Sequence, residues 1–367
     1  MKHNLLTCIL LCGTMLTSCA QQKEADAYQA IVAQDGSGDY TNVQAAIDAA
    51  PDSCLQPWRI FVKNGSYEEQ VIVPQSKPYI HLIGQDKDST VIHMRLNVGG
   101  KPEKPEDDPS GYWACSVHNP DAQAYQHEGS VVLVKGDHFY SENISYINDY
   151  GTEAHNGPQA LAMKIQGDCA AFYNCSFRSF QDTWMTSTKD EHRLYVKDCY
   201  IEGAVDYFYG GGDALLENCT LYNVRDASVI VAPCHTSPRF GYVFLNCIVD
   251  GNAEAAKGNV KLGRPWHNSP RAVYLHTTMR IPIAEEGWTN MGAIPALFAE
   301  YDSRDAEGNI LDLSHRKTEY EGRGDNPAKG SCPATISAED AKRYTYENII
   351  MADDGWNPRA YMTEPSK

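Results

Sequence analysis

Apolar and polar residues alternate in short runs along the middle of the chain, and one four-residue pattern recurs within these runs. The pattern consists of an Asn or Asp, a small apolar residue, a spacer and a larger apolar residue. Its five copies begin at Asn143, Asn174, Asp198, Asn218 and Asn246 and are separated by 31, 24, 20 and 28 positions. Alternation of this kind is typical of β-strands, in runs such as 170–177, 193–201 and 242–249. Repeats of this length predict an all-β chain wound as a parallel β-solenoid, with coils stacked at about 4.8 Å.

Four copies of the pattern carry a cysteine at the small apolar position. They are Cys175, Cys199, Cys219 and Cys247. Alternation turns these side chains to the same side of their strands, so we expect a ladder of reduced thiols inside the solenoid. Three of the twelve cysteines lie in the first 19 residues, and the remaining nine cannot all be paired because their number is odd. The pairing of the others is left open: Cys54, Cys115, Cys169, Cys234 and Cys332.

The two ends of the solenoid are expected to carry short helices. Thr41 and Gln44 have capping-box spacing ahead of an Ala-rich run that Pro51 ends, which predicts a helix over the first coil. A second helix is expected to start near Ser337. Strands are predicted at 59–63, 79–83 and 90–94. The polar, proline-containing stretch at about 97–128 is interpreted as a long insertion loop rather than a second domain.

The first residues form an export signal. Lys2 and His3 precede an apolar run, 5–16, that is too short to span a bilayer. Residues 16–19 are similar to a bacterial lipoprotein cleavage box, with Cys19 as the lipidated residue. This predicts a signal peptide at 1–19, a tether at 20–28 and a single catalytic domain at 29–367. The expected location is the outer membrane or periplasm, with membrane contact only through the lipid. The alternative is an ordinary cleaved signal in which Cys19 is incidental.

Charge and motif content exclude several functions. With 31 basic and 48 acidic residues the net charge is −17, which argues against a nucleic-acid binder. The twelve histidines form no HExxH pattern, so the sequence implies no metal and no cofactor. A serine esterase is not expected either, because the sequence contains no GxSxG motif.

Two aspartates occupy equivalent places in consecutive repeats. Asp182 lies eight residues after Asn174, and Asp206 lies eight residues after Asp198. In register, these carboxylates would be about one strand spacing apart on the same face, and their repulsion would raise one pKa and make that group a proton donor. The alternative is that one or both are solvated turn residues.

Three blocks around these residues resemble the signature blocks of the pectin methylesterase (pectinesterase) family of carbohydrate esterases. The blocks are Gln181-Asp182-Thr183-Trp184, Asp206-Tyr207-Phe208-Tyr209-Gly210 and Leu262-Gly263-Arg264-Pro265-Trp266. Further similarity begins at the DGSGDY run of 35–40, includes the QAL run of 159–161 and extends to about residue 360. One departure is the sequence Tyr207-Phe208-Tyr209, where family members commonly have Phe-Ile-Phe. The resemblance implies a right-handed parallel β-helix that hydrolyses the methyl ester of galacturonate units in pectin.

The resemblance also implies a role for each matched residue. Asp206 would be the nucleophile, and Asp182 would be the general acid that then serves as base. Gln159 and Gln181 would donate amide hydrogens to the developing oxyanion, and Arg264 would hold Asp206 ionised.

Aromatic residues in the same blocks are assigned to substrate binding. They are Trp266, Tyr207 and Trp184. Without the resemblance, the two glutamines would be taken as interior groups that satisfy the backbone, and Arg264 and Trp266 as a surface ion pair and simple packing.

Two other functions stay open at this point. Close carboxylates also suit a solenoid glycosidase or lyase that acts on polygalacturonate. A non-catalytic pectin-binding lipoprotein on the same solenoid is the second alternative. In the favoured interpretation the partner is methylated pectin, and the protein is expected to be a monomer.

Overall fold

The computed structural model describes residues 28–97, 129–157, 159–352 and 354–362, and most of its strands wind into a parallel β-helix. Most coils contribute one strand to each of three long sheets, and coils at the two ends lack one or two of these strands. Sheet A contains, in spatial order, β1 (Ala30–Val32), β2 (Trp58–Val62), β5 (Ile80–Gly84), β8 (Tyr140–Glu142), β11 (Ala170–Tyr173), β14 (Arg193–Lys197), β17 (Asp213–Glu217), β20 (Tyr242–Leu245), β23 (Arg271–Leu275) and β25 (Leu297–Tyr301).

The other two sheets run beside it. Sheet B contains β3 (Gly65–Glu68), β6 (Thr90–Met94), β9 (Ser145–Asn148), β12 (Ser176–Arg178), β15 (Tyr200–Gly203), β18 (Thr220–Asn223), β21 (Ile248–Gly251), β24 (Thr278–Met279) and β26 (Arg304–Asp305). Sheet C contains β4 (Val71–Val73), β7 (Ser130–Val134), β10 (Leu161–Ile165), β13 (Trp184–Met185), β16 (Val205–Gly210), β19 (Val229–Pro233) and β22 (Lys261–Gly263). An antiparallel pair, β27 (Glu319–Glu321) and β28 (Lys329–Ser331), follows the last coil.

The Asn or Asp that opens each repeat forms the corner between sheets A and B. All five have left-handed backbone, with φ between +47° and +57°. Asn and Asp tolerate this conformation better than other residues with side chains. Neighbouring corners are joined, since Asn174 Nδ2 donates to Asn143 Oδ1 at 2.6 Å. The alternating runs at 170–177, 193–201 and 242–249 are β-structure, as predicted, and each contains two strands that meet at this corner.

The ladder of thiols is confirmed. Cys175, Cys199, Cys219 and Cys247 are buried in the core between the sheets, and all eight cysteines in the described residues are free. Burial raises the pKa of the Cys199 and Cys247 thiols, so these groups are held in the unreactive neutral form. Cys115 lies outside the described residues.

A short helix, α1 (Val43–Ala49), covers the first coil, as predicted. Its N-cap is Asn42 rather than Thr41, because the Asn42 side chain accepts from the Ala45 amide at 2.8 Å. The Glu69 carboxylate accepts from the next free amides, those of Val43 and Gln44. Because these partners satisfy the amides of the first turn, the helix starts one residue later than a Thr41 cap would place it.

Two further helices are short. α2 (Asp149–Ala154) follows β9, and α3 (Ala338–Ala341) begins after Ser337, whose hydroxyl accepts from the Asp340 amide. Single turns of 3-10 helix occur at Ala255–Lys257 and Pro358–Tyr361, and Glu347–Met351 forms a π-helical turn. The three early strands match their predicted positions within one residue. Among the described residues, no helix is long and apolar enough to cross a membrane.

Residues 346–352 and 354–359, which we call the C-terminal clamp, pack on the outer face of sheet A. Tyr346, Ile349, Ile350 and Trp356 form an apolar cluster with residues of that sheet such as Tyr195. Two arginine–carboxylate pairs fix the clamp. Arg193 donates to both oxygens of Asp354, at 2.7 and 2.6 Å, and Arg359 donates to Glu217 at 2.6 Å.

Several predicted features fall on residues that the structure does not describe. The signal peptide and Cys19 lie within 1–27. The predicted insertion falls between β6 and β7, and its residues 98–128 are likewise outside the described part.

Candidate functional site

Two adjacent coils bring Asp182 and Asp206 to the same place on the outside of sheet C. Gln181 pairs with Val205 in a parallel bridge, and the Asp182 amide donates to the Val205 carbonyl at 2.9 Å. The two aspartates are therefore in register, as their equal offsets predict. Both have left-handed backbone, with φ of +61° and +49°, a conformation that costs free energy in a residue with a side chain.

A β-bulge directs the Asp206 side chain outward. Val205 pairs with Val229 and Phe208 pairs with Val231, so β16 has one more residue than β19 in this interval. An extra residue breaks the strict alternation of a strand. As a result Asp206 lies on the outer face, Tyr207 and Phe208 both enter the core, and Tyr209 returns to the outer face.

Arg264 forms a bidentate pair with Asp206. Its Nε donates to Asp206 Oδ1 at 2.8 Å and its Nη2 donates to Oδ2 at 2.5 Å. Arg264 follows β22, two coils from β16, and its side chain reaches Asp206 across the intervening strand β19, whose residue at this place is the small Ala232. Because Asp206 is 6% exposed, a full positive charge beside it stabilises the carboxylate where water cannot.

Asp182 has the opposite environment. Burial and the nearby Asp206 carboxylate raise the pKa of Asp182 to about 8, against partial compensation from Arg264 and from hydrogen bonds to Tyr209 and Gln181. At neutral pH the protonated form of Asp182 therefore predominates, whereas Asp206 is paired with the Arg264 guanidinium. Two aspartates on neighbouring strands thus have different chemical capacities, one as proton donor and one as an anion.

The two glutamines of the predicted site are also on neighbouring coils. The amide of Ala160, next to Gln159, donates to the Gln181 carbonyl at 3.0 Å, so the two residues lie side by side ahead of β10 and β13. Gly157 leaves room for this arrangement, since a Cβ there would be 3.1 Å from Gln181 Oε1. Both glutamines are partly buried and precede the strands whose outer faces carry the site.

An apolar shelf lies beside the two aspartates on the outer face of sheet C. It consists of Leu161, Met185, Tyr209, Ala232, Trp266 and Met291. Trp266 meets Tyr209 edge to face, with ring centroids 5.7 Å apart. This contact leaves Trp266 partly exposed next to the carboxylates, in a position where its ring can contact a ligand.

The assignment of Trp184 and Tyr207 to substrate binding is wrong. Both side chains are fully buried. Trp184 packs against Phe172, Phe177 and Phe208 in the core. The Tyr207 hydroxyl donates to Asn223 Oδ1 at 3.4 Å inside the helix. Tyr207 directly follows the outward Asp206 and turns inward, a direction that the resemblance alone does not reveal.

Sequence reasoning missed Tyr209 as a site residue. Simple alternation from Asp206 places residue 209 inward, and only the bulge returns it to the outer face. Its side chain hydrogen-bonds to Asp182 and packs against Trp266. One signal in the sequence could have indicated this role. Tyr209 stands where the family commonly has Phe, and its additional hydroxyl indicates a polar contact.

The glycines after Tyr209 allow close packing of the coils. A Cβ on Gly210 would lie 2.6 Å from the Thr186 carbonyl oxygen, and Gly210 also has a φ of +118°. Within the described residues, no group of three or more His, Cys, Asp or Glu side chains could hold a metal ion. The chemistry available at this site is therefore that of carboxylates, amides and a guanidinium.

Comparison with known proteins identifies the family. The chain matches the family model described as Pectinesterase over residues 29–104 and 115–352. Pectinesterase 31 from Arabidopsis thaliana is 36% identical over 268 residues, which cover 71% of this chain and 76% of that protein. Pectinesterase from Petunia integrifolia is 30% identical over 346 residues, which cover 90% of this chain and 82% of that protein.

The fold is confirmed by a solved structure. Pectin methylesterase from carrot superposes with a TM-score of 0.72 at 24% identity, over 92% of this chain and 97% of that one. The predicted right-handed parallel β-helix is therefore correct. Together with the sequence matches, this places the chain in the pectinesterase family.

Proposed function

We propose that this protein is a pectin methylesterase, a carboxylic ester hydrolase that converts methylated galacturonate units of pectin to free carboxylates and methanol. The observation that carries the proposal is the pair of in-register aspartates, one held as an anion by Arg264 and the other protonated at neutral pH. Ester hydrolysis through a covalent intermediate needs both a nucleophile and a proton donor at one carbonyl group. Family membership gives the substrate class.

The first half of the reaction forms an acyl-enzyme. An oxygen of Asp206 attacks the ester carbonyl carbon, and the negative charge that develops on the carbonyl oxygen accepts hydrogen bonds from the amides of Gln159 and Gln181. Asp182 gives its proton to the methoxy oxygen as the carbon–oxygen bond breaks. Methanol leaves, and the sugar is joined to Asp206 as an anhydride.

The second half restores the enzyme. Asp182, now ionised, takes a proton from water, and the resulting hydroxide attacks the acyl carbon. The bond to Asp206 breaks and its electron pair returns to the Asp206 carboxylate, Asp182 is again protonated, and the galacturonic acid unit leaves and gives its proton to solvent. Water is the only reactant besides the ester, and both carboxyl groups end in the state in which they began.

The proposal is tested by Asp206→Asn, with Asp198→Asn as a matched control. Asp198 is a corner residue with the same left-handed backbone, and Asn occupies the equivalent corner in neighbouring coils. We expect purified Asp206→Asn to release no methanol from methylated homogalacturonan above background, and Asp198→Asn to retain activity close to that of the unmodified protein. Near-normal turnover by folded Asp206→Asn would remove this residue from the mechanism.

Product analysis separates the other two reactions considered from the sequence. A glycosidase creates new reducing ends, and a lyase creates unsaturated products, whereas an esterase releases methanol and leaves chain length unchanged. We expect methanol alone. New chain ends in proportion to enzyme would overturn the proposal, and absence of all three products would indicate a pectin-binding protein without activity.

We also propose that the protein is exported and lipid-anchored through Cys19, with 20–28 as the tether. The support is the sequence of the first 19 residues. Cys19→Ser should leave the protein in the soluble fraction, while the unmodified protein should sediment with membranes and incorporate labelled fatty acid. A membrane-bound Cys19→Ser protein would contradict the anchor.

A further inference from the structure

A serine, a histidine and an aspartate are joined by hydrogen bonds on the outer face of sheet B, a different face of the solenoid from the one that carries Asp182 and Asp206. Ser66 Oγ lies 2.8 Å from His93 Nε2, and His93 Nδ1 lies 2.7 Å from Asp149 Oδ2. We call these three residues the sheet B relay. The reaction proposed at Asp206 uses none of them.

Strand register brings the sheet B relay together. Ser66 on β3 and His93 on β6 both face outward, because the neighbouring Tyr67 and Ile92 lie in the core. Tyr67 pairs with Ile92, so Ser66 and His93 lie on either side of this pair. Asp149, the first residue of α2, lies beside them. The bonded residues are 27 and 56 positions apart in the sequence, so no local motif reports them.

The Asp149 carboxylate fixes which nitrogen of His93 carries the proton. An ionised carboxylate only accepts hydrogen bonds, so Nδ1 of His93 donates to it. In the neutral imidazole Nε2 is then an acceptor, and the Ser66 hydroxyl donates to it. Ser66 therefore has a base within hydrogen-bond distance, and a third group orients that base. This is the arrangement that activates a serine hydroxyl as a nucleophile.

Ser66 is accessible to a ligand. Its side chain is exposed, and β3 is the edge strand of sheet B. Val91, which pairs with Ser66 on the next strand, offers an apolar contact beside the hydroxyl. Glu68 pairs with His93 on the same face and adds a second carboxylate to that of Asp149. Two carboxylates repel an anionic substrate, so the site favours a neutral one.

The backbone of Ser66 limits the reactions that the site can support. Its amide donates to Gln34 Oε1 at 3.1 Å, and its carbonyl accepts from Gln34 Nε2 at 2.6 Å. Serine hydrolases commonly use the amide of the nucleophile to stabilise the oxyanion. Because this amide already has a partner, the site needs an ester whose alcohol leaves easily.

We propose that the sheet B relay is a second hydrolytic site, which transfers the acyl group of small, neutral, activated carboxylic esters to Ser66 and then to water. Ser66 Oγ attacks the carbonyl carbon while its proton passes to His93 Nε2. The bond to the alcohol breaks, and His93 gives the proton to the departing oxygen. Water then attacks the acyl carbon with His93 as base, the carboxylic acid leaves, and Ser66 regains its proton. This activity does not depend on the function proposed for sheet C.

The test uses Asp206→Asn protein, in which the nucleophile proposed on sheet C is absent. We expect a fluorophosphonate probe to label this protein at Ser66, as located by mass spectrometry, and the protein to hydrolyse 4-nitrophenyl acetate. In the same background, Ser66→Ala should remove the label, and Ser66→Ala and His93→Gln should each lower hydrolysis by about tenfold or more. Ser76→Ala is the matched control, because Ser76 is also exposed but donates directly to Asp52. It should change neither readout.

Asp149→Asn distinguishes a catalytic relay from a structural one. The asparagine amide can still hydrogen-bond to Nδ1 of His93, but as a donor, which leaves the proton on Nε2 and prevents it from accepting from Ser66. We expect a melting temperature close to that of the Asp206→Asn protein, with labelling and hydrolysis reduced as in His93→Gln.

Three results would overturn the second site. They are labelling that does not occur at Ser66, hydrolysis that Ser66→Ala leaves unchanged, and normal labelling in folded Asp149→Asn protein. Methanol release from pectin by the unmodified protein tests the proposed function separately, so either proposal can fail while the other holds.

Discussion

Asp182 keeps its proton at neutral pH because it is buried beside a second carboxylate, and this has a cost for the fold. The unfolded chain would lose this proton above about pH 4, whereas the folded protein keeps it until about pH 8. The pKa in the folded state is thus raised. Below the unfolded pKa both states hold the proton, and the full stability of the fold is present. As the pH rises from there towards 8, only the unfolded chain releases the proton, so the stability of the fold decreases.

We therefore expect Asp182→Asn to abolish turnover and stabilise the fold. An amide resembles the protonated acid and also tolerates the left-handed backbone at this position. The gain in the free energy of unfolding should be small at pH 4 and grow to about 5 kcal/mol near pH 8, because the two pKa values differ by about four units and each unit corresponds to about 1.4 kcal/mol. Urea unfolding at several pH values measures it. A gain that is constant with pH, or a loss at pH 8, would contradict the raised pKa.

Tyr209 adjusts the same proton. Its hydrogen bond lowers the pKa of Asp182 relative to burial alone. Tyr209→Phe removes that bond and should raise the pKa further. Because Asp182 must be protonated to release methanol, the fall in kcat/KM at high pH should move to higher pH in the variant. Tyr207→Phe removes a hydroxyl that faces the core instead, and its profile should match that of the unmodified protein. If the pH at which kcat/KM falls stays the same in Tyr209→Phe, or becomes lower, Tyr209 is excluded as a positioning residue.

The sequence predicted which two carboxylates lie together better than it predicted their surroundings. The equal offsets of Asp182 and Asp206 from their repeats follow from coil geometry, so the carboxylate pair could be foreseen. The inward direction of Tyr207 and the outward direction of Tyr209 depend on the bulge between Val205 and Phe208. A bulge is a property of how two strands pair, and nothing in the local sequence of β16 reports it.

At the scale of elements, the corner residues determine where strands end. Alternating runs indicated β-structure, but the alternation in 170–177 shifts by one residue at the corner, since Ala170 and Phe172 lie in the core before it and Cys175 and Phe177 lie in the core after it. The strand break is caused by the backbone of Asn174 and Asp198, whose positive φ turns the chain from sheet A into sheet B. The recurring Asn or Asp was therefore the visible signal of the corner, although its spacing was used only to count coils.

Corner conformation can be tested at Asn174. Asn174→Ala places a side chain that disfavours left-handed backbone at φ +47° and removes the bond to Asn143, so we expect a loss of about 1–2 kcal/mol in the free energy of unfolding. Asn174→Gly removes the same hydrogen bond, but glycine adopts left-handed backbone readily. Its loss in the free energy of unfolding should therefore be smaller than that of Asn174→Ala. Guanidinium titrations compare the two. Equal losses would show that the side-chain bond alone stabilises this corner.

At the scale of the whole molecule, the net charge of −17 repels a polyanion that comes within about a Debye length of the surface. A pectin with many free carboxylates carries more negative charge than a highly methylated pectin of equal length. Salt screens exposed, distant charges, so added salt should weaken this repulsion.

We expect the KM for long, sparsely methylated pectin to fall as salt is raised from low to physiological concentration, because the Debye length shortens from about 30 Å at 0.01 M to about 8 Å. The KM for highly methylated pectin of equal length should change little. Initial rates at several salt concentrations, expressed per ester group, provide the measurement. If added salt instead weakens binding of the sparsely methylated polymer, local cations outweigh the net charge even for long chains.

The C-terminal clamp imposes an order of events on the growing chain. Arg193 and Glu217 belong to the central coils, yet their partners Asp354 and Arg359 are synthesised more than 140 residues later. Until those partners are synthesised, the outer face of sheet A exposes Arg193, which is buried in the complete fold, together with an apolar surface that Trp356 and Ile350 later cover. A ribosome-bound chain thus has most of its coils before it has the segment that seals them. This delay makes closure of residues 346–352 and 354–359 over sheet A a late step in the folding of the chain.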